Sequence, residues 1–437
     1  MNEGAYAVAR LVAPRIHAHF SSHQQRDVRP GAGGVGVVTI PDVAAIEAML
    51  DTLFWASLRR EEAYVPKISL AFLTPADTDH PLVLERPLPL DAAVLARVSP
   101  AVERPGIHLG VTHLDGELRV WGVARTIPKH CFVAEVVEPG LIVVKHRRGS
   151  ETAKFVNVAV LEGDRIKVID EQASALPDCP TLLSTLLAFD SVDTWNGSLN
   201  VLVQLAVSMR AHRRGGLLIV VPPGTESWRD SIVQPIAYAV SPPFSELAHL
   251  VESRRDGDQA GRVGHTGGVE ADLRTRGHEA SVEADLRTRG HEASVEADVP
   301  TRGDEASVEA DLQVRERHWQ DSLDRAIDAV AGLTAVDGAT LMTSTYDVLA
   351  YGAKIVRRRG QSQVEQMTVT EPIESDTPAV INPTTFGGTR HLSAAQFVHD
   401  QRDSVALVAG QDGRFTVFAW SPCIDMVHAH RVETLLL

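Results

Sequence analysis

Short apolar runs alternate with turn residues through residues 1–195, and this pattern predicts a strand-rich α/β domain. A Gly-Asp pair at 163–164 predicts a hairpin turn. One helix is predicted after Asp42, because the apolar residues between Ile46 and Phe54 share one helical face. The strand candidates are bounded by Gly, Pro, Asp or Asn, and they are 34–40, 67–73, 117–123, 141–146, 153–163 and 165–169.

Helical spacing and strand runs mix in the second part of the chain, 196–437, which we predict to be a second α/β domain with a mixed sheet. A helix predicted over 199–212 leads through a basic glycine turn into the buried strand GGLLIVV. A longer helix is predicted over about 314–331. Two strand pairs then follow, DGATLMTS with VLAYGAKIV and SVALVA with RFTVFAW.

A tandem repeat interrupts the second domain. The 13-residue unit VEADLRTRGHEAS occupies 269–281 and 282–294, and a variant, VEADVPTRGDEAS, occupies 295–307. Each unit has too few large aliphatic side chains to bury a face, and it is shorter than the usual solenoid repeat. We therefore predict a low-complexity insertion at about 255–312 without biochemistry of its own. The alternative is an interaction or spacing element.

Composition excludes several classes of protein. The chain has 437 residues, and 42 basic against 57 acidic side chains give it a formal net charge of −15. This charge argues against general nucleic-acid binding and against an anionic membrane surface. The apolar runs are strand-sized, and three widely spaced cysteines form no disulfide framework. We expect a cytoplasmic protein without a membrane span.

Two short motifs carry candidate chemistry. Asp337-Gly338-Ala339 opens a strand, where a carboxylate could hold a divalent metal and a glycine could let a nucleotide approach the backbone. Gly388-Thr389-Arg390-His391 lies on a glycine turn and offers backbone N–H groups, a hydroxyl, a guanidinium and an imidazole. These groups suit phosphate oxygens. Each motif alone is also a common turn.

Taken in order, HRRGGLLIVV, VDGATLMTSTYDVLAYGAKIV and GGTRHLSAAQ resemble the nucleotidyltransferase domain of diadenylate cyclases over about 199–437. The resemblance implies a mixed central sheet flanked by helices, and an activity that condenses two ATP molecules into cyclic di-AMP. It also implies that Asp337 binds Mg²⁺ or Mn²⁺ and activates the ribose 3′-hydroxyl. Nucleotide binding would involve Asp337, Gly338, Ala339, Gly388, Thr389, Arg390 and His391.

Three departures from the family pattern separate binding from catalysis. The residues before the DGA motif are Ala335-Val336, the position of a second arginine holds Leu392, and the usual acidic segment is 410–413, GQDG. Each removes a polar ligand, and a lost metal-binding carboxylate would reduce turnover more than binding. The chain is similar in this to the degenerate sensor branch called DACNV, and the region from FWASLRREE to LRVWGV also looks like that group.

We therefore predict a sensor that binds a nucleotide, or a cyclic or oligomeric nucleotide, and that is more a binding protein than an enzyme. An active diadenylate cyclase, in which two subunits of a homo-oligomer face each other, is the first alternative. A structural interaction protein with vestigial motifs is the second.

Other residues of suitable type have weaker patterns. His130-Cys131 and the Asp77 to His80 segment contain metal-ligand types without a partner pair at zinc spacing. The basic runs 145–148 and 357–359 are typical of solvated turns. His212-Arg213-Arg214 is a better phosphate candidate, because it adjoins a strand end, and α/β proteins gather ligands at one edge of the sheet.

Overall fold

The computed structural model describes residues 5–27, 38–60, 64–104, 106–147, 155–170, 201–254, 302–374 and 376–437, with backbone alone at 24–27, 302–313 and 316. The chain divides into two compact units. The first unit comprises Met1–Leu176, Thr370–Pro378 and His430–Leu437, and the second comprises Pro177–Val369 and Ala379–Ala429.

Three helices and eight strands are described in the first unit. The helices are α1 Ala7–Asp27, α2 Val43–Ser57 and α3 Ala92–Val98. The strands are β1 Ser69–Phe72, β2 Leu82–Pro89, β3 His108–Leu114, β4 Glu117–Ala124, β5 Val133–Glu138, β6 Leu141–Arg147, β7 Phe155–Glu162 and β8 Arg165–Val168. They form one mixed sheet in the order β2-β4-β3-β1-β5-β6-β7-β8, in which β1 and β3 are parallel.

Amphipathic helices cover one face of this first sheet. Helix α2 begins where the Asp42 carboxylate accepts the N–H of Ala45 at 2.7 Å, an N-cap that satisfies an otherwise unpaired donor. Its apolar residues, including Ile46 and Leu50, are fully buried against the sheet. The predicted helix after Asp42 is therefore confirmed, and its burial is the main source of stabilisation on this face.

Five helices and nine strands are described in the second unit. The helices are α4 Val201–Ala211, α5 246–254, α6 Arg302–Thr334, α7 Pro383–Phe386 and α8 Thr389–Asp400. The strands are β9 Gly216–Val221, β10 Tyr238–Phe244, β11 Ala339–Thr343, β12 Val348–Ala353, β13 Met367–Thr370, β14 Ala379–Ile381, β15 Val405–Ala409, β16 Phe415–Ser421 and β17 Met426–Arg431.

The second sheet is mixed and has the order β10-β12-β11-β9-β15-β16-β17-β13-β14. Strands β9 and β11 are parallel, and β15 is antiparallel to β9. Every residue of β9 is buried, as expected for a central strand that is covered on both faces. Helix α8 packs with β9, β15 and β16, while α6 packs with α4, β9, β11 and β12.

The α/β fold class predicted from the sequence is confirmed, with a mixed sheet in each unit. The helix predicted over 314–331 extends from Arg302 to Thr334, so helical backbone includes the end of the predicted insertion. The rest of the predicted insertion, 255–301, lies outside the described residues, and so does the predicted domain boundary at 195. Of the strand candidate at 34–40, the described residues 38–40 are not in a strand.

Candidate functional site

The segments that the sequence analysis singled out lie at one end of the central strands of the second sheet, and we call this end the edge. Because β9 and β11 run parallel, the turn before Gly216 and the pair Asp337-Gly338 lie at neighbouring strand ends. Ala409 lies opposite Gly216, so the loop 410–413 starts at the same edge. These are the amino ends of β9 and β11, whereas open α/β sheets usually bind ligands at the carboxyl ends. The reason we gave for favouring His212-Arg213-Arg214 is therefore wrong.

The basic turn at this edge is packed against a guanidinium. Arg213 and Gly215 have left-handed backbone conformations, with φ of 52° and 71°. A Cβ atom at Gly215 would lie 2.8 Å from Nη1 of Arg390, so the missing side chain makes room for that group. Burial lowers the pKa of His212, and the charges of Arg214 and Arg390 act in the same direction. The turn and Arg390 therefore lie close together.

Asp337 stands at the same edge, and its side chain is 93% exposed. The Nζ atom of Lys354 donates to Oδ2 of Asp337 at 2.6 Å. This hydrogen bond and the charge of Lys354 lower the pKa of Asp337, and the charge of Arg390 acts in the same direction. The edge thus brings one carboxylate into the field of two cations from different segments.

Gly338 and Ala339 serve the contact between β11 and β12. Gly338 has φ of 126°, and a Cβ atom there would collide with the backbone of Gly352. Ala339 is fully buried and lies opposite Ala353 in the antiparallel pair. The space that the glycine leaves is filled by the neighbouring strand, and this close approach places Asp337 beside Lys354.

The second motif forms the first turn of α8, with Gly388 as the N-cap residue. Thr389 is exposed and Arg390 half-buried. The ring of His391 makes edge-to-face contacts with Phe386 at 5.5 Å and Phe418 at 6.1 Å between ring centroids. Since Phe418 lies within the paired stretch of β16, the ring contacts of His391 lie over the sheet. The charge of Arg390 thus acts on Asp337 across the edge, and the ring of His391 lies among aromatic rings.

A tyrosine pair adjoins this edge, and the sequence analysis missed it. Tyr238 of β10 lies opposite Tyr351 of β12, and the two rings stack in parallel at 4.9 Å. The ring of Tyr238 also covers Gly352, and its residue is 49% exposed. The sequence analysis included Tyr351 in a predicted strand. It could not show that this strand pairs with one more than 100 residues earlier. The pair offers an accessible aromatic group beside Gly352, the residue against which Gly338 packs.

The weaker candidates have structural contacts. The Asp77 carboxylate accepts the N–H of Thr74 at 2.8 Å and fixes a turn. Lys145 pairs with Glu135, and Arg358 pairs with Asp230 at 3.3 Å. Residues 145–147 lie in strand β6, where His146 is buried and the Lys145 side chain is 14% exposed, so the prediction of a solvated turn is wrong for this run. Residues 357–359 lie outside the helices and strands, as predicted.

His130 and Cys131 belong to the first unit. The ring of His130 lies 5.2 Å from that of His146 and 6.4 Å from that of His23, while Cys131 is buried. Throughout the described residues, no group of three or more His, Cys, Asp or Glu side chains is arranged to hold a metal ion.

The fold and the site define a two-unit α/β protein whose candidate site lies in the second unit. A family model described as "Probable sensor domain DACNV" matches residues 36–125, which lie in the first unit. No curated protein and no solved structure matches the chain. The match supports a sensor role and includes the region from Phe54 to Val123 on which the sensor resemblance rested. The resemblance to diadenylate cyclases, over 199–437, lies outside it and stays a prediction.

No helix within the described residues is both long enough and apolar enough to cross a membrane.

Proposed function

We propose that the protein is a nucleotide-binding sensor and that the sheet edge formed by the turn 212–215, Asp337 and Arg390 receives the phosphorylated part of the ligand. The observation that carries this proposal is the contact of the Arg390 guanidinium with the bare turn at Gly215, within electrostatic reach of Asp337. Three segments that are distant in sequence thus adjoin this edge, where the side chain of Asp337 is open to solvent.

The edge has the groups that a phosphate needs. Arg390 supplies a planar guanidinium, which binds phosphate oxygens through paired charge-assisted hydrogen bonds. Thr389 and Gly388 lie at the amino end of the twelve-residue helix α8, where backbone N–H groups and the helix dipole favour an anion. The exposed Arg214 adds a second guanidinium on the turn. We assign the phosphate to these residues.

The ribose and the base would lie towards β12. The exposed carboxylate of Asp337 can accept a hydrogen bond from a ribose hydroxyl. Tyr238 is half exposed on β10, on the other side of β12, and can stack on a base, an interaction that contributes about 1–3 kcal/mol in single-stranded nucleic-acid complexes. The order of phosphate, ribose and base along the edge follows the order Arg390, Asp337, Tyr238.

Ligand screening tests the proposal directly. The thermal midpoint of the full chain is measured with ATP, cyclic di-AMP and linear diadenylate, and at least one should raise it. Replacing Arg390 by Ala should weaken that ligand roughly 10- to 150-fold, the effect of losing one charge-assisted hydrogen bond. Among the described residues, the exposed Arg325 donates to Asp321 and Ser322 of its own helix α6, so Arg325→Ala is the matched control. No stabilisation by any nucleotide would contradict the proposal.

Enzymatic activity is decided by a product assay. A diadenylate cyclase would use Asp337 to activate a 3′-hydroxyl against the α-phosphate of a second ATP. In this chain the Asp337 carboxylate is bonded to Lys354, and the segment 410–413 supplies Gln411, whose amide donates to the carbonyl of Arg214 at 3.3 Å. We expect no cyclic di-AMP from ATP and Mn²⁺ by mass spectrometry. Product that disappears in Asp337→Asn would identify a cyclase.

A further inference from the structure

Lys354 occupies the position beside Asp337 at which a divalent cation is expected from the sequence. The residue follows β12 directly, and the antiparallel pairing of Ala339 with Ala353 sets the two side chains next to each other. The ammonium donates to Oδ2 of Asp337 at 2.6 Å. A lysine that bonds the carboxylate competes for the oxygen that a metal would take.

The surroundings of Asp337 do not favour a hard metal ion. Mg²⁺ and Mn²⁺ prefer several oxygen ligands, commonly more than one of them a carboxylate or phosphate oxygen. The charged side chains that lower the pKa of Asp337 are the cations Lys354 and Arg390. Repulsion from these two cations opposes the entry of a third. Among the described side chains, Asp337 belongs to no group of three or more His, Cys, Asp or Glu residues that could hold a metal ion.

Charge balance at the edge points to a class of ligand. The segments that meet at this edge contain the cations Lys354, Arg213, Arg214 and Arg390 and the anions Asp337 and Asp412, so these side chains have a net charge of about +2 at neutral pH. A dinucleotide with two phosphodiester groups carries the matching charge. A nucleoside triphosphate carries more negative charge and normally binds with Mg²⁺ on its phosphates.

We propose that this edge binds a phosphodiester-linked dinucleotide, cyclic or linear, without a divalent cation, and that the ammonium of Lys354 takes the place of the metal. The inference rests on the proposed function, because it concerns the same site. It adds the chemical class of the ligand and removes the cofactor. A cyclic dinucleotide would place one phosphodiester against Arg390 and the other near Lys354, and a linear 5′-phosphorylated dinucleotide would place its single phosphodiester and its terminal phosphate there.

Calorimetric titration of the full chain tests the inference. Cyclic di-AMP, linear diadenylate and ATP are each titrated in excess EDTA and again in excess Mg²⁺. We expect a dinucleotide to bind with the same Kd in both buffers and to bind more tightly than ATP. Lys354→Met should weaken the dinucleotide in EDTA roughly 10- to 150-fold through loss of a charge-assisted contact. Lys354→Arg should retain most of the affinity because it keeps the charge.

The controls distinguish a failure of this inference from a failure of the proposed function. Lys67 is exposed in the first unit, so Lys67→Met changes the net charge equally and should leave the Kd unchanged. Binding that requires Mg²⁺, preference for ATP, or a Lys354→Met variant as tight as the parent in EDTA would overturn the inference while nucleotide binding itself stands. No binding of any nucleotide in either buffer would overturn the proposed function, and the inference with it.

Discussion

Gly215 and Arg390 form the contact on which the proposed site depends. The glycine combines a left-handed φ of 71° with a space that the guanidinium enters. Gly215→Ala adds a methyl group 2.8 Å from Nη1 of Arg390, so the end of this flexible side chain must move away. We expect the substitution to weaken the nucleotide identified by thermal shift about as much as the loss of one charge-assisted bond, roughly 10- to 150-fold.

Gly224 is the matched control for this substitution. It has φ of 72°, but a Cβ atom there has nothing within 4 Å. Alanine in a left-handed conformation costs about 1–2 kcal/mol at either position, so the free energy of unfolding should fall similarly in both variants. Only Gly215→Ala should lose affinity by calorimetry. Equal affinity in the two variants would show that the contact with Arg390 plays no part in binding.

Asp347 gives a pH-dependent contribution to stability. Burial raises its pKa, but hydrogen bonds from Ser245, Thr345 and Thr343 outweigh burial, so the net effect is a lowered pKa. A carboxylate with a lowered folded pKa stabilises the protein above its unfolded pKa of about 3.9 and loses that contribution as pH falls through the folded value.

Substitution by asparagine isolates that contribution. Urea unfolding should show Asp347→Asn less stable than the parent at pH 7, with the difference shrinking as pH falls below about 4. Asp403 is exposed, and Asp403→Asn should leave the free energy of unfolding within about 0.5 kcal/mol of the parent. A difference for Asp347→Asn that stays constant with pH would contradict the role of its charge.

At the level of single residues, the sequence predicted chemistry better than contacts. Asp337 and Arg390 were proposed from their motifs, and the charge of Arg390 acts on Asp337, while their part in nucleotide binding stays a prediction. Lys354 was not proposed, because its position beside Asp337 depends on the register of β11 and β12. The motif of Gly338 does not show that this residue lies against the backbone of Gly352, and its part in nucleotide binding stays a prediction.

At the scale of elements, helix α8 anchors the connection that follows β12. The buried carboxylate of Asp400 accepts the N–H of Arg358 at 2.8 Å, and Gln396 Oε1 accepts that of Val364 at 3.1 Å. Asp400→Ala leaves the Arg358 N–H without this acceptor, so we expect the free energy of unfolding to fall by about 1–3 kcal/mol. Urea denaturation followed by tryptophan fluorescence measures the loss.

Asp403→Ala provides the reference for Asp400→Ala, because Asp403 lies three residues later and is exposed. The reference substitution should change the free energy of unfolding by no more than about 0.5 kcal/mol. If the two alanine variants were equally stable, the hydrogen bond from the N–H of Arg358 to Asp400 would contribute nothing to the anchoring of this connection.

Elements with strong local patterns were predicted well. The apolar run of β9 and the hairpins β7–β8, β11–β12 and β15–β16 are observed as antiparallel pairs or central strands close to their predicted positions. Strand β10 was missed because its sequence YAVSPPF contains two prolines, which argue against a strand away from an edge. The prolines are tolerated because β10 is the outermost strand of the sheet.

At the scale of the whole molecule, the C-terminal segment belongs to the first unit. The buried amide of Asn157 in β7 donates to the carbonyls of Thr434 at 2.9 Å and Leu437 at 3.2 Å. Lys167 of β8 forms an ion pair with Glu371 at 2.5 Å and lies 3.5 Å from Glu433. Contacts between parts of the chain so far apart in sequence could not be inferred from local patterns.

Deletion of residues 433–437 should therefore destabilise the first unit, because it leaves the Asn157 amide buried without these acceptors. We expect a loss of about 1–3 kcal/mol and faster hydrogen exchange in peptides that contain β7. Asn157→Leu in the full chain removes the donor instead and should accelerate exchange at 433–437. Unchanged exchange in both variants would contradict the anchoring of this segment.

The location of bound nucleotide tests the central claim most directly. Hydrogen–deuterium exchange of the full chain is measured by mass spectrometry, with and without the nucleotide that raises the thermal midpoint. The account predicts slower exchange in peptides that cover 212–216, 337–354 and 388–391. Protection confined to the sensor-matched region 36–125, with no change at the edge of the second sheet, would contradict it.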